Sequence, residues 1–330
     1  MRVIERVDSS FWEDVARACP HATFFHTPYW SELMSSTFSY VDITKGFVFD
    51  DGTRAVFPLM CRKGSLSKGF LNDYISGPPY YYGGPISDKE LTQQQLAEII
   101  ESVKFAFKRY FRIVVRGNPF GPDIKMTGFK EIQDLSHVVE LFKCRDEEDL
   151  FKNYMKSYRR QIKSAIKANV LTIKEGTTLE EYEKLYEIYQ QTLKYWGNSI
   201  VAVYPLALFK NIFNFKNRYI SFWTVYYKDK MIGGDITLCW NDYCHSLKSF
   251  HDREYSKLYA RRYLEHKIFL HCMEEGIKYY DFLQSGGLKG VEFFKRSMGG
   301  REYPHRAWVK ERTLLKKLAS IKRSMISLLQ

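Results

Sequence analysis

The residue best placed for chemistry in this chain is a lysine one turn beyond a run of glycines. In YYDFLQSGGLKGVEFFKRSMGG, Tyr279 to Gly300, an apolar strand enters a hinge at Ser285, Gly286 and Gly287 and then a short helix carrying Phe294 and Lys295. A strand-to-helix junction leaves backbone N–H groups unpaired at the helix N-terminus, and Gly286, Gly287 and Gly290 let an anionic or oxyanionic group come close to the main chain. Lys295 then adds a positive charge. The same residues also suit a plain turn, with Phe293 and Phe294 in a core and Lys295 in solvent, and spacing does not choose between these readings.

Two further stretches bear on a site. SGPPYYYGGP, Ser76 to Pro85, sets glycines beside aromatic rings, which suits a loop that brings backbone to a sugar or peptide. The other reading is a proline-bracketed turn that packs its rings into the first domain, as is expected of Tyr80. In the predicted helix after residue 150, Phe151, Met155, Tyr158, Ile162 and Ala165 share one face. Lys156, Arg160, Lys163 and Lys167 cluster within about 60° on the other, at 100° per residue. Charge alone makes that a solvated face.

The strand-loop-helix segment resembles the C-terminal signature of Fem-type (FemABX-like) aminoacyltransferases, within the GNAT-like acyltransferase superfamily. In that signature a strand ending in Asp-Phe leads through a Gly/Ser loop to Gly-x-x-x-Phe-Lys and a glycine; here Asp281-Phe282, Ser285-Gly286, Gly290, Phe294-Lys295 and Gly299 stand in those places. The Ser76 to Pro85 loop is similar to the family's Pro-x-x-x-Tyr-Gly-Gly-Pro, and YRRQIKSAIKANV, Tyr158 to Val170, to its Arg-Arg-x-Ile-Arg-Lys-Ala-x-Lys helix. With these three motifs in order, the resemblance covers nearly the whole chain.

The resemblance implies transfer of an aminoacyl or acyl group from an activated donor, aminoacyl-tRNA being favoured, to an amine of a cell-envelope or peptidoglycan-type precursor. On that basis Lys295 and Asp281 are the candidate catalytic residues, Asp281 having loop anchoring as its other reading. Arg159, Arg160, Lys163, Tyr82, Gly83, Gly84, Ser285, Gly286, Gly290 and Phe294 are candidate substrate contacts, with the arginines meeting phosphate. No protein base stands out; Asp235, in a predicted strand, is expected to face a cleft. An activated ester asks mainly for alignment and oxyanion stabilisation. One alternative is an acyl-CoA-dependent N-acyltransferase acting on an amino sugar or small amine in envelope polysaccharide synthesis, although RGNPFG, Arg116 to Gly121, lacks the spacing of a coenzyme A pyrophosphate loop. Another is a non-catalytic basic RNA-binding module.

Composition bounds these readings. The chain has 330 residues, 45% hydrophobic and 16% aromatic, which predicts a packed α/β protein rather than a disordered one. Its net charge of +12 favours an anionic partner, a nucleotide- or lipid-linked precursor or tRNA. The charged N-terminus and short apolar runs predict a cytoplasmic protein without a transmembrane segment. Leu314, Leu318, Ile321, Met325 and Leu328 predict an amphipathic C-terminal helix, which either docks on its own domain or makes a peripheral contact at the inner membrane face. No Cys-x-x-Cys or His pair at i, i+4 occurs, so neither a metal nor a tightly bound cofactor is expected, and the six cysteines are expected to be reduced.

Element order predicts two tandem acetyltransferase-like domains of mixed α/β type with a cleft between them. The first spans residues 1–146 and the second 147–330, joined near Phe142 to Asp149. In the second, three antiparallel strands (Tyr219 to Tyr227, Met231 to Trp240, Tyr243 to Phe250) precede a helix marked by Ala260, Leu264, Ile268 and Cys272. A strand from Ile277 to Leu283, a helix from Lys289 to Ser297 and a strand from Tyr303 to Val309 follow. In the first, hairpin strands Val41 to Phe49 and Arg54 to Cys61 precede a strand Phe70 to Ile75, a helix Leu91 to Tyr110 and a strand Arg112 to Arg116.

Overall fold

The computed structural model describes residues 1–63, 71–78, 81–196, 203–215 and 218–312. Tyr80 and the tail beyond residue 312, with its expected amphipathic helix, lie outside them. By internal contacts the described residues divide into those of 1–134 together with those from 305 on, and those of 135–304.

The first unit begins with β1 (Arg2–Ile4), α1 (Ser9–Ala18), α2 (Pro28–Phe38), β2 (Val41–Asp42), β3 (Lys45–Val48), β4 (Arg54–Phe57), β5 (Met60–Lys63) and β6 (Asn72–Ser76). It continues through β7 (Ile86–Ser87), α3 (Gln93–Lys104) and β8 (Tyr110–Arg116). The expected long hairpin is in fact two. β3 and β4 pair in one sheet with β1 and β7, whereas β2 and β5 pair in another with β6 and β8. Thr44 explains the break: its N–H is taken by Asp42 Oδ1 at 2.9 Å and its hydroxyl accepts the Leu59 N–H at 3.1 Å, so local bonds replace the ladder. Helix α3 starts at a Thr92–Gln95 capping box and buries Leu96, Ile99, Ile100 and Val103 against Phe47, Phe57 and Val115.

The strand β9 (Lys130–Glu140) has no counterpart among the expected elements. Its second part belongs to the second unit, which continues with α4 (Glu147–Asn153), α5 (Lys156–Ala168), β10 (Leu171–Glu175), α6 (Leu179–Trp196), α7 (Leu206–Phe215) and β11 (Ile220–Tyr227). There follow β12 (Lys230–Trp240), β13 (Tyr243–His251), α8 (Ala260–Glu274), β14 (Tyr279–Gln284), α9 (Lys289–Ser297) and β15 (Arg301–Glu311). β10 to β13 form an antiparallel run, β13 pairs parallel with β14, and β14 pairs antiparallel with β9. The division at 134 falls within β9, whose residues Ser136 to Glu140 pair with β14. Likewise Ala307 to Glu311 pair with β8 and so count with the first unit.

The core of the second unit lies between its sheet and helices α4, α5, α8 and α9, with Phe151, Ile162, Leu264, Ile268, Phe269, Tyr280 and Phe282 inside. Ala260, Leu264, Ile268 and Cys272 are buried along α8 as their four-residue spacing predicts, and Gly276 has φ +74 just past the helix end. The single helix expected from Phe151 onward is broken at Tyr154 and Met155. Asp146 caps α4 through the Asp149 N–H, and the Met155 N–H donates to Ser297 O at 2.9 Å instead of continuing the helix. Met155 consequently leaves the apolar face and is 42% exposed.

A second correction concerns Cys239 and Cys244. They stand opposite each other across the Asn241-Asp242 turn with Cα atoms 4.1 Å apart and are joined as a disulfide, not reduced as expected. The Cys239 N–H donates to Tyr219 O, just ahead of β11, so on the β13 side this is a non-hydrogen-bonded pair, where side chains approach closely.

Candidate active site

Strand β14 stops pairing with β13 after His245 and Asp281, while β13 runs on to His251. The cause is local. Leu283 has φ +60, rare for a residue with a Cβ, and its N–H is held by Asp281 Oδ1 at 2.6 Å. This turns the Leu283 and Gln284 carbonyls toward helix α9, where Lys295 Nζ donates to both, at 2.8 and 2.9 Å. Asp281 and Lys295 thus clasp the same backbone irregularity from two sides.

Lys295 is only 4% exposed. Burial brings its ammonium down to about 7; the Asp281 carboxylate opposes this and the Arg261 guanidinium adds to it. A group balanced there can serve either charged, as an oxyanion donor, or neutral. Two of its three N–H donors are engaged by backbone, which leaves one for a ligand.

The hinge after β14 keeps its donors ready. The Leu288 N–H closes on Ser285 O at 3.1 Å, Gly286 and Gly287 take φ +58 and +76, and Leu288, which precedes helix α9, gives it no side-chain cap. The Ser285 side chain is buried, yet its hydroxyl has no hydrogen-bond partner. Gly286 and Gly290 are exposed, and a Cβ added at Gly290 would meet nothing within 4 Å, so the space beside the main chain is open there. Phe294 is buried and Phe293 is 54% exposed, so only one of the two rings serves the core.

Beneath the clasp lies a carboxyl pair. The Tyr280 hydroxyl is 2.8 Å from Glu265 Oε2 and 3.2 Å from Asp235 Oδ2, and the Ser246 hydroxyl donates to Asp235 Oδ2 at 2.9 Å. Burial raises both carboxyl pKa values, and at Asp235 the Glu265 carboxylate adds to the rise. Asp235 is fully enclosed within its own unit; the expectation that it faces a cleft fails because Ser246 and Tyr280 take up its oxygens.

The arginines the sequence singled out are arranged differently from those that reach this region. Arg159 folds back, its guanidinium 3.3 and 3.4 Å from the Lys152 and Tyr154 carbonyls. Arg160 is exposed, and Lys163 pairs with Glu148 at 3.4 Å over the Phe151 ring. It is Arg261 and Arg262, in the first turn of α8, that lie over Phe294 at 4.1 Å and over Tyr158 at 4.4 Å. Sequence reasoning missed them, although two adjacent arginines opening a helix oppose its dipole and are a legible signal. It also missed His137 on β9, whose buried ring accepts from Arg296 Nε at 3.4 Å and whose Nδ1 has no partner. Burial and then the Lys295 charge hold that imidazole below its usual pKa.

Within the first unit, Tyr82 is buried against the Phe25 ring, 5.9 Å away, and His305, 5.4 Å away. The Gly83 N–H donates to Arg116 O at 3.1 Å and the Gly84 N–H to Ser76 Oγ at 2.9 Å. A Cβ on Gly83 would lie 2.4 Å from Ser76 Oγ, so close chain packing explains that glycine.

Residues 152–296, inside the second unit, match the family model described as an acetyltransferase (GNAT) domain. The second unit carries a GNAT-type acyltransferase domain. The acyltransferase is similar in structure to FemX, at 12% identity and TM-score 0.74, covering 97% of this chain and 100% of that one. It is also similar to the C-terminal domain of an Agrobacterium fabrum protein described as a lysylphosphatidylglycerol synthetase, at 10% identity and TM-score 0.55, covering 96% of each chain. A tandem GNAT protein from the clavulanic acid biosynthesis pathway matches at 9% identity and TM-score 0.51, over 86% of this chain and 94% of that one. No curated protein matches the sequence. These likenesses are likenesses of fold, and the mixed α/β, tandem acetyltransferase-like class expected from the sequence is the class they share. Among the described residues of the acyltransferase no helix is long and apolar enough to cross a membrane, and no three metal-ligating side chains gather.

One consequence of the buried lysines is measurable. Burial lowers Lys295 and Lys248 from 10.5 to about 7, so between those values the unfolded chain binds more protons than the folded one and their contribution to stability rises with pH. Thermal unfolding of Lys295→Met should therefore gain less between pH about 7 and 9 than the wild type does. Equal gains would place the Lys295 pKa near its ordinary value.

Proposed function

We propose that the protein transfers an aminoacyl group from an activated ester, aminoacyl-tRNA in the favoured reading, to an amine of a cell-envelope precursor of peptidoglycan type. The observation that carries the proposal is the buried Lys295, held by the Leu283 and Gln284 carbonyls beside an unpartnered Ser285 hydroxyl and an uncapped helix start. In this reading the neutral amine attacks the ester carbonyl, the remaining Lys295 N–H stabilises the oxyanion, and Ser285 and the α9 backbone assist. As the tetrahedral intermediate collapses, the carbon–oxygen ester bond breaks and the amine proton leaves with the alkoxide. Asp281 acts by fixing the loop that orients Lys295. Arg261 and Arg262, steadied on aromatic rings, supply positive charge for an anionic donor, with Arg159, Arg160 and Lys163 as further contacts.

The GNAT family match supports a second reading, with an acyl-CoA as donor and an amino sugar or small amine as acceptor. Mass spectrometry of the purified protein with an amine-bearing envelope precursor and either aminoacyl-tRNA or acetyl-CoA separates them. The expected result is a precursor heavier by one aminoacyl residue with the first donor and unchanged with the second. Acetylation alone would replace the favoured reading, and no transfer from either donor would leave RNA binding as the alternative.

A further inference from the structure

Four of the eleven exposed large apolar side chains among the described residues belong to α5, the residues just before and after it, and α9: Met155 at 42%, Ile166 at 38%, Val170 at 44% and Phe293 at 54% exposed. Helices α5 and α9 are tied together at the Met155 end of this set. The Met155 N–H bonds to Ser297 O, Met155 Sδ is 3.7 Å from Ser297 Oγ, and the Phe293 ring sits 6.2 Å from that of Tyr158. Exposed lysines and arginines flank these residues. On α5, Lys156, Arg160, Lys163 and Lys167 fall within about 60° of one another, with Ile166 about 60° to the side of Lys163. On α9, Lys289, Phe293 and Arg296 share one outward face. The acids near them are few: Glu148 pairs with Lys163, Glu302 with Arg296, and Glu292 stands in the first turn of α9.

We propose that this face docks on an anionic lipid surface, with Met155, Ile166, Val170 and Phe293 entering the headgroup boundary and Lys156, Lys167 and Lys289 meeting lipid phosphates. A cation-flanked apolar strip of this kind gains from burial and from charge together, as interfacial helices do. Single-stranded nucleic acid is the less fitting occupant, because bases stack on rings and three of the four apolar side chains here are aliphatic or thioether. The docking goes beyond the acyl-transfer reading and does not use Lys295, so its test needs no turnover.

The test is co-sedimentation of the full chain with vesicles of phosphatidylcholine alone or mixed with phosphatidylglycerol, in low and high salt. Wild type should bind the mixed vesicles, bind phosphatidylcholine far less, and weaken with salt. The variant Met155→Ser, Ile166→Ser, Phe293→Ser should lose about tenfold or more in partitioning, the scale expected for withdrawing several apolar anchors. Its melting temperature should fall by no more than about 10 °C, leaving a cooperative transition, because all three side chains are partly exposed, and Met155→Leu, Ile166→Leu, Phe293→Leu should retain binding. No binding of wild type to the mixed vesicles overturns the proposal. Equal binding by the serine variant overturns it too, since another surface would then hold the lipid. Tighter capture of single-stranded RNA than of vesicles, lost in the same variant, would reassign the face to nucleic acid.

Discussion

Replacing Lys295 by methionine is expected to lower kcat/KM by about 10² or more, the scale for removing one oxyanion donor. Methionine is the informative choice because Lys295 also has a structural duty: its ammonium bonds to the Leu283 and Gln284 carbonyls inside the fold. An alanine would lose those bonds and leave a cavity besides. Methionine fills the space of the stem and removes a charge whose burial is costly at neutral pH, which offsets part of the lost hydrogen bonding. Activity should therefore fall far more than stability. If the charged form acts, wild-type activity should also decline as pH rises through about 7, the value to which burial lowers this group. Wild-type kcat/KM in Lys295→Met would remove the lysine from the chemistry and leave it as the clasp of the Leu283 backbone.

Phe294→Ala is expected to cost about 3–5 kcal/mol of stability, the range for truncating a core aromatic. The ring is enclosed by Phe282 and Tyr158, each with its centroid 6.0 Å away, and carries the Arg261 guanidinium on its face at 4.1 Å. Its loss removes packing and the platform that steadies Arg261, so the damage should appear in urea unfolding. Phe293→Ala, one residue earlier and mostly exposed, should change stability by less than about 1 kcal/mol. Comparable losses for both would mean that the two rings share the core.

The acetyltransferase-like half was legible because its signals are local. Alternating apolar strands separated by Lys228-Asp229 and Asn241-Asp242, and an α8 stripe ending at Gly276, report periodicity and turn chemistry that neighbouring residues decide among themselves. The extent of α9, Lys289 to Ser297, was readable for the same reason. Where a bond came from far along the chain, sequence could not anticipate it. Ser297 takes the Met155 N–H and splits a helix that periodicity makes continuous, and β9, absent from the expected elements, is held by a partner, β14, that lies far downstream. The candidate site divides in the same way. Residue types and spacing marked Lys295, Asp281 and the Ser285 hinge, all within one strand-loop-helix segment. Only the tertiary structure showed that Asp281 and Lys295 hold one backbone irregularity, and that Arg261 and Glu265 act on the Lys295 charge, which in turn acts on His137, while Arg262 lies over Tyr158. Those residues come from separate elements, and burial, which sets the Lys295 pKa, is a property of the packed chain rather than of any segment of it.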